Sequence, residues 1–279
     1  MELPHFQDEE PSLCVSLRGS FSDRTFSPIN SMGLTPDEQY LYTSHAHSLL
    51  LWNLEDSRQP FMLNHLPEGD SLSTGEKITC SHMHPRSESL LTYGTSKGRL
   101  NLLDSRVSVT NPSMLNFRVD RSEGNYIDDI IRQYTGVRFL SDGKRIVTRD
   151  LLSIKVWDMC SNREPLLTIP VDDTIKKHVV ELFEADSLQD SFSITEASSH
   201  IVTGNYGDCF QVIDPSTGDN VQYELDYGQE TNVRRVGSGK KINPFSCTNR
   251  VKGHDYNPST GQLAVSTNSC FFIFSQEPS

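Results

Sequence analysis

KRIVTRDLLSIKVWDM, residues 144–159, is the stretch on which the reading of the whole chain turns. Ile146–Val147 and Ile154–Trp157 are short runs rich in β-branched and aromatic residues, a composition that suits strands. Between them Arg149 and Asp150 make a polar break, and Trp157–Asp158 closes the second run. Such a stretch is either an isolated chemical site or one unit of a repeat, and the rest of the chain decides between the two.

With Trp157 as a ruler, the same shape recurs. SLLLWN ends on Trp52-Asn53, GRLNLLD on Leu103-Asp104, SIKVWD on Trp157-Asp158, CFQVID on Ile213-Asp214 and SCFFIFS on Phe274-Ser275, with steps of 51, 54, 56 and 61 residues between the first of each pair. Each is preceded by a second strand-like run: QYLYTS, SLLTYGTS, KRIVTRD, HIVTGNY and QLAVSTN. Each of those follows a third segment that closes in a turn: NSMGLTPD, CSHMHPR, GVRFLSDG, FSITEASS and HDYNPSTG. Pro, Gly, Asp, Asn and Ser cluster at the breaks, where turns need them. The unit is three strands joined by tight turns, with room for a fourth outer strand in the connection. That is a propeller blade with a period somewhat above the roughly 40–45 residues usual for WD repeats. The expectation is an all-β WD-repeat β-propeller with about five blades and short helical insertions. Trp52, Leu103, Trp157, Ile213 and Phe274 are the expected packing residues between blades. Asp104 and Asp158, at strand ends, are placed to accept turn N–H groups. Residues 1–11 read as an acidic flexible leader and 12–279 as a single propeller domain. Ser12–Gly19 alternates and could supply a closing outer strand.

Totals narrow the function. The 279 residues carry a formal net charge of −12, which disfavours general binding to phosphate backbones and favours attraction of basic segments. No run of 18 uncharged apolar residues occurs, so no membrane span is expected, and with that charge neither a nucleic acid nor a membrane is an expected partner. The six cysteines form no C-x-x-C pair, and every N-x-S/T triplet has proline at x. Both features suit a reducing, cytoplasmic or nuclear location.

Three connections are long. In 107–134, Ile127, Ile130, Ile131 and Tyr134 fall at helical spacing, and in 170–191 so do Ile175, Val179, Leu182 and Phe183. The third, 231–252, has six basic residues and no acidic one, and reads as a solvated loop able to meet an acidic partner. Two His-x-His pairs, His45/His47 and His82/His84, could each turn two nitrogens toward a metal if further ligands converged from other blades. No phosphate-cradling glycine loop, G-x-S-x-G or H-E-x-x-H is present. Recognition rather than catalysis is expected, with no cofactor.

The strings INSMGLTPD (29–37), EKITCSHMHP (76–85), TSKGRLNLLDSR (95–106) and IVTRDLLSIKVWDM (146–159) resemble the WD-repeat regulatory B subunit, 55-kDa class, of protein phosphatase 2A. So do LFEADSLQDSF (182–192), IVTGNYGDCFQVID (201–214) and the closing NPSTGQLAVSTNSCFFIF, in the same order. The resemblance implies a non-catalytic subunit of seven-bladed fold. It implies binding to the phosphatase scaffold (A) and catalytic (C) subunits and selection of phosphoprotein substrates with basic segments through an acidic face. The match begins at the end of the family's third blade, so the blades and hairpin that grip the scaffold have no counterpart here. The family's acidic pair before its L-R-I-N-L-W strand falls on His45 and Ala46, its Glu before F-H-P on His82, and its Tyr-His before INS on Ser27-Pro28. The resemblance makes His45, Ala46, His82, Arg149 and Asp150 the candidates for the substrate face.

Overall fold

The computed structural model describes residues 20–21, 24–25, 28–55, 60–66, 75–106, 113–117, 130–161, 164–171, 179, 191–206, 208–225, 233–236, 250–268 and 270–275. After a small hairpin, β1 (Ser20–Phe21) with β2 (Arg24–Thr25), five antiparallel sheets follow one another along the chain. The first is β3 (Ser31–Leu34), β4 (Tyr40–Ser44), β5 (Ser48–Asn53) and β6 (Phe61–His65). The second is β7 (Ile78–Met83), β8 (Leu90–Thr95), β9 (Leu100–Asp104) and β10 (Ser113–Phe117). The third is β11 (Gly136–Phe139), β12 (Arg145–Arg149), β13 (Ser153–Asp158) and β14 (Leu167–Pro170). The fourth is β15 (Ile194–Ala197), β16 (His200–Gly204), β17 (Cys209–Ile213), β18 (Asn220–Leu225) and β19 (Val233–Val236). The fifth is β20 (Gly253–Asn257), β21 (Gln262–Ser266) and β22 (Phe271–Ser275).

Within each sheet, spatial order follows chain order, so each is a meander closed by tight turns. The five ruler residues all lie in third strands. The first strands β3, β7, β11, β15 and β20 pack side by side in that order, and this is the blade arrangement of a WD-repeat propeller.

Sheets of this kind have two apolar faces, because each is covered by a neighbour on both sides. Register makes the joints repeat. Trp157 pairs with Ile146, Ile213 with Ile201 and Leu103 with Leu91, so the sheets superimpose position by position. The residues one and three before the ruler face the next sheet. Leu49 and Leu51 pack with Ile78 and Met83, and Leu100 and Leu102 with Val137 and Phe139. Ile154 and Val156 pack with Ile194, and Phe210 and Val212 with Val265. The ruler itself faces the preceding sheet: Trp157 joins Leu100, Leu102 and Phe117, and its ring meets Phe117 edge-on at 5.7 Å. Trp52, Leu103, Trp157 and Ile213 are buried, while Phe274 is half-buried and stacked on Phe210 at 5.8 Å.

Both tryptophans also make a bond that composition does not foretell. Trp52 Nε1 donates to Thr43 Oγ1 at 3.0 Å and Trp157 Nε1 to Thr148 Oγ1 at 2.9 Å, each threonine lying nine residues upstream. The residue after the ruler closes the turn in four sheets. Asn53, Asp104, Asp158 and Asp214 each accept the N–H two residues on, at 2.8, 3.0, 2.8 and 2.7 Å.

The described parts of the first two insertions keep short helical pieces, and only the basic insertion departs from expectation. Among the described residues of the first, Ile130–Arg132 forms a helical turn, where Ile130 and Ile131 pack against Leu151 and Phe192. Most of the second, including Ile175, Leu182 and Phe183, lies outside the described residues, as do 1–11 and Ser12–Gly19. The basic insertion is not loop throughout. Val-Arg-Arg-Val forms β19, whose register sets Arg234 opposite Glu224 and Arg235 opposite Tyr223. Backbone pairing with the edge of β18 outweighs the charge density by which the segment reads as a loop.

Candidate recognition face

The start of each first strand pairs with the end of its second strand, as Ser31 does with Ser44 and Gly136 with Arg149. All the turns from second to third strand therefore gather at one end of the sheets. These are 45–47, 96–99, 150–152, 205–208 and 267–270. They form the face to which four of the candidate substrate residues belong.

His45 is in the first of these turns but points into the sheet: it is 2% exposed, with Nε2 at 3.2 Å from Thr43 Oγ1, the hydroxyl that also receives Trp52. Ala46 is half-buried, and its carbonyl accepts Ile78 N–H at 2.7 Å, tying the first sheet's turn to the second sheet's inner strand. Asp150 is buried and fully engaged. Its Oδ1 accepts Leu152 N–H at 3.0 Å and Ser153 N–H at 2.6 Å, while Oδ2 accepts Ser153 Oγ and the Lys155 ammonium. This carboxylate shapes the turn, with its charge met by Lys155.

Arg149 occupies a register position where the fourth and first sheets carry Gly204 and Ser44. The long side chain is wholly buried between the third and fourth sheets. Nη1 donates to Thr203 Oγ1 at 2.6 Å, and the guanidinium lies 4.6 Å from the centre of the Phe192 ring. Nε and Nη2 have no hydrogen-bond partner among the described residues. Burial lowers its pKa to about 10, and the nearby Tyr206 and Asp150 hold it up, so it remains a cation at neutral pH.

His82 is elsewhere, within the inner strand β7. Its Nδ1 accepts Phe139 N–H at 3.3 Å, joining the second sheet to the third. Burial, and next the Arg138 charge, push its pKa down to about 3 although the ring is not fully sequestered. In the second His-x-His pair each ring has its own partners. His84 Nδ1 accepts Arg86 N–H at 3.1 Å and its Nε2 meets Gly143 O at 3.0 Å, while both rings lie against Phe139. Among the described residues no three His, Cys, Asp or Glu side chains converge as metal ligands, and no helix is long and apolar enough to cross a membrane.

His254, bonded to Ser193 O at 3.0 Å, behaves like His82, with burial lowering its pKa to about 4. Both rings are neutral when folded but charge near pH 6.5 when unfolded. In that window the unfolded chain binds more protons, so stability falls as pH drops from about 6.5 toward 4. We expect a His82→Gln variant to have a shallower acid limb in urea-unfolding free energy against pH. An unchanged limb would show that His82 titrates alike in both states.

Sequence reasoning missed Thr43, Thr148, Arg138, Phe192 and Thr203, the residues that fix these candidates. The nine-residue Thr-to-Trp spacing is the one signal that could have revealed two of them.

Stacked meanders of three to five strands, side-by-side inner strands and a face built of second-to-third turns define a protein of the WD-repeat propeller class. Within that class the chain resembles phosphatase 2A regulatory B subunits. It is 26% identical over 264 residues to the PP2A regulatory B subunit of Schizosaccharomyces pombe (strain 972 / ATCC 24843), covering 92% of this chain and 56% of that protein. It is 25% identical over 291 residues to the gamma isoform of the 55 kDa regulatory B subunit of serine/threonine-protein phosphatase 2A from Mus musculus, covering 98% of this chain and 65% of that one. The chain thus spans between about half and two thirds of the length of these relatives. No family model matches it.

Proposed function

We propose that this protein is a non-catalytic regulatory or targeting subunit of protein phosphatase 2A, working in the cytoplasm or nucleus. It associates with the scaffold (A) and catalytic (C) subunits and selects phosphoproteins that carry basic segments. The observation that carries this reading is the similarity to two regulatory B subunits along nearly the whole chain, together with the five blades into which that length folds. The face of second-to-third turns is held by hydrogen bonds to backbone, which suits recognition by a fixed surface, and a net charge of −12 would draw in basic segments.

The test is retention of the 279-residue chain on an immobilised scaffold–catalytic pair, alongside a full-length relative. Retention of both, with faster dephosphorylation of a basic phosphopeptide, is the expected result. Loss of this chain under conditions that retain the relative would defeat the proposal.

One observation favours a second reading, an interaction scaffold without the phosphatase. The positions where the family carries acids hold a buried His45 and a neutral His82. Crosslinking in cells separates the two, since a partner set without phosphatase subunits favours the scaffold.

A further inference from the structure

One register position breaks a rule that the other sheets keep. Three residues before the ruler, each third strand pairs with the end of its second strand, at Ser44, Gly94, Arg149, Gly204 and Ser266. Four of these are glycine or serine, and at Gly94 and Gly204 the next sheet's approach, through Tyr134 and Val251, leaves no room for a Cβ. Packing at this position therefore does not call for an arginine. Yet Arg149 is wholly buried there, and its charge must be met by something.

The surroundings leave one edge of the guanidinium open. Nη1 is used by Thr203 Oγ1, while Nε and Nη2 have no hydrogen-bond partner among the described residues. The N–H groups of Nε and Nη2 run parallel along one side of the planar fork, the geometry that grips two oxygens of one oxyanion. Among the described residues no carboxylate pairs with Arg149, and the neighbouring Asp150 is held by Lys155. Asn205, two residues beyond Thr203 and on the same side of the extended chain, is also wholly buried with Nδ2 unbonded among the described residues. Positive charge gathers around the joint. Arg138 and Arg149 both act on His254, and Arg250 lies 5.4 Å from the centre of the Tyr206 ring, which meets Phe192 edge-on.

We propose that the joint of the third and fourth sheets encloses a small free oxyanion, inorganic phosphate being the type, held bidentate by Nε and Nη2 of Arg149 with Asn205 Nδ2 as a further donor. Water could satisfy the same donors, but it would leave a buried cation without a counter-charge, which is the costlier arrangement. The oxyanion supplies acceptors and charge together.

Equilibrium dialysis of the 279-residue chain against labelled inorganic phosphate tests this, with sodium chloride holding ionic strength constant. The expected result is saturable uptake of a single phosphate per chain. Arg149→Lys keeps the charge but loses the fork, and should weaken uptake by roughly tenfold or more. Asn205→Asp keeps the acceptor for Tyr206 N–H and sets a carboxylate in the anion's place, and should take up none. Melting in phosphate-free buffer checks that each variant is folded, and Asn205→Asp carries the test if Arg149→Lys is not. A parent that takes up no phosphate above the dialysate level overturns the proposal and leaves water as the partner of these donors. So does a folded variant that binds as the parent does. Uptake of a phosphoserine peptide without uptake of free phosphate overturns it too, because the anion is enclosed rather than presented at the surface. The outcome is independent of phosphatase binding, which the retention experiment reads.

Discussion

Trp157→Ala is expected to lower the free energy of unfolding by about 3–5 kcal/mol, read as a fall in the urea midpoint without a change in slope. The side chain is fully buried where the second and third sheets join, against Phe117, Leu100, Leu102 and Ile146. No neighbour can collapse into the space, since its walls are strands of two hydrogen-bonded sheets. The loss has a polar part as well. Removing the indole also removes the N–H that Thr148 Oγ1 receives at 2.9 Å. Thr148→Val tests that part alone, leaving a buried N–H unpaired at a cost of about 1–3 kcal/mol. If the bond matters as drawn, Trp157→Phe combined with Thr148→Val costs less than the sum of the singles. A Trp157→Ala protein within about 1 kcal/mol of the parent would mean that this ring does not join the two sheets.

The ruler residues could be read from sequence because they answer to one physical demand, a bulky group at a fixed register, which for Leu103, Trp157, Ile213 and Phe274 meets the preceding sheet. Trp52, Leu103, Trp157, Ile213 and Phe274 all fall in third strands for that reason. Turn residues were legible too, as Asp104 and Asp158 show. The recognition face was much less so. Whether His45 faces water or the sheet depends on Thr43, whose hydroxyl bonds His45 and receives the Trp52 N–H once β4 and β5 pair. Arg149 sits in a string, T-R-D, that reads as polar and exposed. Its burial depends on Thr203 and Phe192, some fifty residues away in sequence and one blade away in space. Strand β19 was hidden for the converse reason, because its charges read as a solvated loop and its pairing depends on the β18 edge.

Gly204→Ala is expected to disrupt the joint of the fourth and fifth sheets outright. A Cβ built there lies 1.8 Å from the carbonyl oxygen of Val251 and 2.7 Å from its carbonyl carbon. Those atoms are backbone, so no rotamer change relieves the clash, and the sheets must part. Overpacking in cores typically costs about 1–3 kcal/mol, and this site belongs at or beyond the top of that range. The strain falls on Val251–Lys252, the segment that carries the Lys252 N–H to Ser266 O and the Ser193 Oγ to Lys252 O contacts. Hydrogen exchange should therefore quicken through β20, β21 and β22 while β12 and β13 keep their protection, because stability is lost by the local unit first. Gly136→Ala is the control. Its nearest atoms are the Phe192 carbonyl at 3.1 Å and the Ile194 side chain at 3.2 Å, and the latter can turn away. If Gly204→Ala leaves exchange in the fifth sheet as slow as in the parent, the chain at Val251 does not cross β16 where the fold requires it to.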